Sequence, residues 1–139
     1  MPTTGQNSGR PFQILRSLTM AIDSYAKDDI LTIRILDERL VDPEVIKRVF
    51  DDLIALLGKT DEQQVVLDFA SVKFMASAML GKLVQLQKKA QEYKVKLKLS
   101  SVSPDILQVF KITKLHKVFD IQTDEATARK SFSKRGFFG

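Results

Sequence analysis

The stretch FMASAMLG, Phe74 to Gly81, carries a single hydroxyl, Ser77, where an apolar strand-like run meets an amphipathic helix-like one. A serine there has two uses. Its oxygen can cap the helix by accepting from the free amide hydrogens of the first turn, an effect of about 1 kcal/mol. The same hydroxyl can instead take a phosphoryl group, because the amides and dipole at a helix N-terminus favour negative charge. A phosphate adds roughly −1.5 to −2 charges without unfolding the helix, and opposes a docked partner by repulsion and desolvation. The small residues Ala76, Ala78 and Gly81 would let such a partner approach closely.

Other chemistry is hard to assemble from this chain. Nucleophilic catalysis needs a nucleophile, a base within hydrogen-bond reach and an orienting group. The sole histidine, His116 in TKLHKVF, follows a predicted helix and reads as a surface loop residue. One histidine and no cysteine leave no ordinary zinc ligand set, and exclude disulfides and thiol chemistry. The GKT at Gly58 to Thr60 ends like a phosphate loop, but Leu53 stands where that motif needs its first glycine. It reads as a helix stop. Asp51, Asp52, Asp61 and Glu62 read as a solvated helix end and loop, not as a paired-carboxylate site. The expectation is a non-enzymatic protein without cofactor or metal.

The elements that position Ser77 follow from periodicity. ILTIRIL, from Ile30, alternates as a half-buried strand, with Thr32 and Arg34 expected to face outward. VDPEVIKRVFDDLIALLG has Asp42 as N-cap, Pro43 at the first helical position, Glu44 in the first turn and Gly58 as the stop. Val45, Val49, Leu53 and Leu56 or Leu57 mark its inner face. Val65–Phe69 reads as a buried strand. A helix then starts near Ala78 or Met79, with Leu80, Leu83, Val84 and Leu86 inward and Lys82, Gln85 and Lys89 outward. Val95–Leu99 alternates as a strand. Ser103 and Pro104 open a helix with Ile106, Val109 and Phe110 inward. KVFDI suggests an edge strand, and TDEATARKSF a last helix with a threonine cap. Such alternation favours a parallel or mixed sheet with helices on at least one face.

The 139 residues suit one domain: a flexible extension over 1–24 with room for a short helix, a folded domain over 25–132, and a basic, aromatic tail over 133–139. Met20 is an alternative internal start. No apolar run approaches the roughly 18 residues that cross a bilayer, and the N-terminus does not read as a secretory signal. A cytoplasmic setting is expected. The formal charge of +5 is misleading, since the span Asp23 to Glu125 holds all 17 acids. A near-neutral body with basic ends is a poor nucleic-acid surface. A tail that meets anionic lipid or RNA is the minority reading against a solvated one.

The run VVLDFASVKFMASAMLGKLVQLQKKAQEYKVKLKLSSVSPDILQVFKITKLHKVFDI, Val65 to Ile121, resembles the STAS domain of bacterial anti-sigma factor antagonists. The upstream ILDERLVDPEVIKRVFDDL is similar to that family's first strand-to-helix segment, extending the resemblance to roughly Ile30 to Ala128. The resemblance implies an α/β fold, a STAS-like mixed sheet flanked by about four helices. It also implies a binding switch: the unmodified antagonist holds an anti-sigma factor, often a serine kinase, and phosphorylation at the join ends the binding. Ser77 falls at the modified position. Asp37, Arg39, Phe74, Met75, Ala76, Ala78, Met79 and Lys82 are the expected partner contacts, with Phe74 and Met79 equally compatible with the core. The family's join usually runs acid, Ser, Ser or Thr, Gly, Leu, Gly; here Ala76 replaces the acid and Met79 the first glycine. The alternative is a non-switching STAS subunit of a larger assembly, such as a lipid-transport complex or a signalling scaffold. No direct nucleic-acid contact is expected, and a homodimer is left open.

Overall fold

The computed structural model describes the backbone of residues 21–138 and the side chains of residues 21–132. The expected short helix and flexible segment before residue 21 lie outside the described residues. Among the described residues there are seven strands: β1 (Ile22–Lys27), β2 (Ile30–Ile35), β3 (Arg39–Leu40), β4 (Gln64–Asp68), β5 (Phe74–Met75), β6 (Lys96–Ser100) and β7 (Asp120–Gln122). Four described α-helices accompany them: α1 (Pro43–Lys59), α2 (Ser77–Glu92), α3 (Pro104–Ile112) and α4 (Glu125–Phe138). A short 3-10 turn spans Leu115–Lys117.

The main sheet has the order β1-β2-β4-β6-β7. β1 pairs antiparallel with β2, and every other neighbour is parallel. Parallel neighbours need crossover connections, and α1, α2 and α3 provide them. All three pack on one face, where Ile33, Val65, Leu67 and Leu99 meet Val49, Leu53, Leu83 and Phe110. α4 covers the other face through a small cluster of Ile30, Val66, Ala128 and Phe132. This is the mixed sheet with four flanking helices that the sequence suggests.

The helix grammar holds where side chains cap. Glu44 N donates to Asp42 Oδ1 at 2.8 Å, and Ile106 N to Ser103 Oγ at 3.3 Å. In α4 the cap is Asp124, not the expected threonine, because Thr127 N donates to its carboxylate at 2.8 Å. That backbone hydrogen bond, helped by the Thr127 side chain, holds the Asp124 carboxyl below its ordinary value. Gly58 is not a stop either. α1 runs through it to Lys59, and Thr60 N closes the end on Leu56 O.

Four further differences appear. β1 falls partly in the segment expected to be an extension, since its sequence IDSYAK is polar and only Ile22 is buried. Thr32 is buried rather than outward, because α4 lies over it and Arg129 donates to its Oγ1 at 3.1 Å. Val109, expected inward, is partly exposed, and Ile106 and Phe110 alone bury on α3. α4 extends through most of the expected tail.

Removing the α1 cap with Asp42→Ala should lower unfolding stability by about 1 kcal/mol, read from a denaturant midpoint. For Asp124 the folded carboxyl titrates below its unfolded value, so its contribution is present above the ordinary aspartate range of about 3.9. The stability difference between wild type and Asp124→Ala should therefore shrink as pH falls through the folded value. A difference that grows on acidification would contradict that sign.

Candidate functional site

Ser77 sits where the chain leaves the central strand of the sheet. β4 ends at Asp68, whose buried carboxylate is fully engaged: Arg34 donates to Oδ2 through Nε and Nη2 at 3.0 and 2.9 Å. Ala70 N and Ser100 Oγ donate to Oδ1 at 3.1 and 3.3 Å. With one side of the pair shielded and Arg34 half in water, this ion pair is better hydrogen-bonded than an ordinary surface bridge. It fixes the direction of the chain as it turns into the join.

The join is held by a second, two-stranded sheet. β3 and β5 pair in parallel, with Arg39 opposite Phe74 and Leu40 opposite Met75. Lys73 N and Phe74 N both donate to Glu38 O, and Ala76 N donates to Leu40 O at 2.9 Å. Lys73 and Glu38 also approach to 3.4 Å across the surface. The segments around Asp37–Arg39 and Phe74–Ala76 are thereby brought together, although 34 residues lie between them in sequence.

Ala76, not Ser77, is the N-cap of α2, with extended backbone; Ser77 is the first helical residue. The helix begins one residue earlier than periodicity suggests, because Met79 N already bonds back to Ala76 O at 2.9 Å. Ser77 Oγ makes no hydrogen bond among the described residues, and the residue is exposed. α2 also has no acid in its first turn, whereas α1, α3 and α4 each have one. Its leading amides are uncompensated by any side chain.

The expected contact residues divide. Phe74 is half exposed (50 %) and stacks against Arg39, whose guanidinium lies 4.8 Å from the ring centroid. Ala78 is exposed, while Met75 and Ala76 are half-buried. Lys82 lies over the Phe50 ring at 4.8 Å, joining α2 to α1. Asp37 is half-buried, and its Oδ2 is held from water without a hydrogen-bond partner among the described residues, at a cost. Met79 is wholly buried in the main core and faces away from any docking surface. The α2 side chains on the core side begin with Met79, so the residue that replaces the family's glycine serves packing. Sequence reading did not include Leu36 and Val41, which flank β3 and are also partly exposed. Both follow the alternation that leaves one side of an extended chain outward, a signal lost in so short a strand.

A family model for the STAS domain matches residues 21–128. The chain belongs to the STAS domain family. Its fold is similar to an anti-sigma-factor antagonist STAS domain protein from Planctomyces limnophilus, at 19% identity and TM-score 0.70, covering 81% of this chain and 97% of that one. An anti-sigma factor antagonist from Mycobacterium paratuberculosis matches at 15% identity and TM-score 0.69, over 79% and 91% of the two chains. The Bacillus cell fate determinant SpoIIAA in its phosphorylated form matches at 16% identity and TM-score 0.59, over 80% and 99%. In this STAS chain no described helix is long and apolar enough to cross a membrane.

Because Ser77 Oγ caps nothing, Ser77→Ala should change stability by less than about 0.5 kcal/mol in a denaturant titration. A loss near 1 kcal/mol would return the residue to a capping role. Phe69→Ala, at the buried end of the same segment, should cost about 3–5 kcal/mol.

Proposed function

We propose that this STAS domain is an anti-sigma factor antagonist: a non-enzymatic module that binds an anti-sigma factor of the serine-kinase type through the join, and is switched by phosphorylation of Ser77. The observation that carries this reading is the free hydroxyl of Ser77 at the start of α2. It is exposed, makes no internal hydrogen bond among the described residues, and heads the one described α-helix with no acid in its first turn. A phosphoryl group there would meet first-turn amides that no side chain caps, and the positive helix end, without disturbing the fold.

The surface around Ser77 has the composition of a binding patch. The Arg39–Phe74 stack is partly exposed, and Leu36 and Val41, on either side of β3 in the chain, are partly exposed as well. Aromatic and arginine side chains of this kind dominate interface energetics. The partner would dock on apolar surface next to Ser77, so a dianionic phosphate there would be desolvated and unpaired in the complex. Likeness to antagonists from bacteria, one of them solved in phosphorylated form, supports the same reading. The family's acid at the join is absent, so a kinase would engage this site through backbone and shape rather than through a carboxylate at position 76. A cytoplasmic setting accords with this role.

Incubation with ATP and a kinase-type anti-sigma factor should add one phosphoryl group to the chain, and none to Ser77→Ala. Ser77→Asp should bind that partner at least tenfold more weakly, a difference of about 1.4 kcal/mol. Phe74→Ala should cost binding more than about 1 kcal/mol while leaving the fold intact. No phosphate on Ser77 together with unchanged binding by Ser77→Asp would favour the alternative, a non-switching subunit of a larger assembly.

A further inference from the structure

The end of the sheet opposite the join carries a second surface. β4, β6 and β7 run in parallel, so the join after β4 lies at their C-terminal ends. α3 returns from the end of β6 to the start of β7, and its last turn and the 3-10 turn therefore lie at the other end. There the sequence KITKLHKV, Lys111 to Val118, holds three lysines and a histidine and no acid. Ile112 is 74 % exposed, the most exposed large apolar residue among those described, with Val109 one turn behind it and Val118 beyond the helix end.

Helix stability accounts for part of this. Lysines near a helix C-terminus complement its dipole. The dipole does not account for an isoleucine pointing into water among them. None of Lys111, Lys114 and Lys117 is ion-paired among the described residues. The neighbouring acids are occupied or distant: Asp120 pairs with Lys98 at 3.1 Å, and Asp105 is two turns away at the start of α3. Asp29, Asp61 and Glu62 belong to the β2 and β4 side of this end, away from edge strand β7.

We infer that this knuckle is a docking point for an anionic membrane surface. Its shape decides the occupant. The apolar side chain protrudes from a helix end instead of lining a groove, which suits insertion into a soft interface better than the capture of a peptide. Lysines around it would meet lipid phosphates while Ile112 enters the headgroup region. With a single apolar wedge and three lysines, the attachment is weak and reversible. Because the knuckle and the join are at opposite ends of the sheet, a docked molecule keeps Ser77 open to its partner.

The test is co-sedimentation of the full chain with vesicles of phosphatidylcholine alone, or of phosphatidylcholine with phosphatidylglycerol. The expected result is binding to the anionic vesicles only, weakened by added salt. Ile112→Ser should reduce the partition roughly tenfold, as loss of one buried aliphatic side chain implies. A triple variant with Lys111→Gln, Lys114→Gly and Lys117→Gln should abolish it; glycine suits the left-handed backbone at Lys114. Ser77→Asp should bind the vesicles like wild type, which separates this outcome from the fate of the phospho-switch. Equal sedimentation with both vesicles would overturn the inference, as would full binding by the knuckle variants, which would move the contact to the basic C-terminal residues. Capture by poly-glutamate without vesicle binding would assign the knuckle to an acidic polypeptide, and a dimer lost in Ile112→Ser would assign it to a second copy. Either result overturns the membrane assignment.

Discussion

β4 is buried on both faces: Val65 and Leu67 pack against the three crossover helices, and Val66 packs beneath α4. A strand with no solvent-facing side admits no slip in register, since a one-residue shift would drive each side chain into the wrong layer. The strand ends on Asp68, and that carboxylate must be paired because burying it bare would be very costly. Arg34 from β2, Ser100 from β6 and the backbone of Ala70 supply the partners. The chain therefore leaves the sheet at one place and in one direction. The position of Ser77, nine residues later, depends on this anchor and on the β3–β5 pairing.

The join consequently presents a small number of groups in a defined arrangement. Backbone hydrogen bonds donated to the carbonyls of Glu38 and Leu40 hold its two strands side by side. Met79 and Leu80 pin the first turn of α2 in the core, so the hydroxyl at the head of that turn is held outward. The exposed groups include Ser77, Ala78 and an aromatic ring backed by a guanidinium, with Ala76 half-buried beside them. In the proposed role such a surface would recognise a partner by shape and apolar contact, and one added charge would change its affinity without changing its fold. In the proposed switch, a control group on a helix terminus would separate regulation from stability.

Most of this architecture is legible in the sequence because local signals agree with the fold. Asp42–Pro43 and Ser103–Pro104 mark helix starts that the structure reproduces with their capping bonds. What was hidden depends on partners distant in sequence. Thr32 and Lys98 look like outward positions of alternating strands, yet both are buried by α4 through Arg129 and Ser131. β1 is disguised by polar residues and by a turn in which Asp28 and Asp29 adopt the left-handed conformation usually taken by asparagine and glycine. At the join, the helix start shifts by one residue because Ala76 is tied to Leu40, a constraint that no local pattern reveals. That single residue decides whether Ser77 is a cap or a free hydroxyl.

If a partner docks on the join as proposed, amide hydrogen exchange of the full chain, alone and with a kinase-type anti-sigma factor, will register it. Added protection is expected over Asp37–Leu40 and Lys73–Lys82, and none over α4. Protection confined to α4 or to the edge strand β7, with the join exchanging as in the free protein, would contradict it.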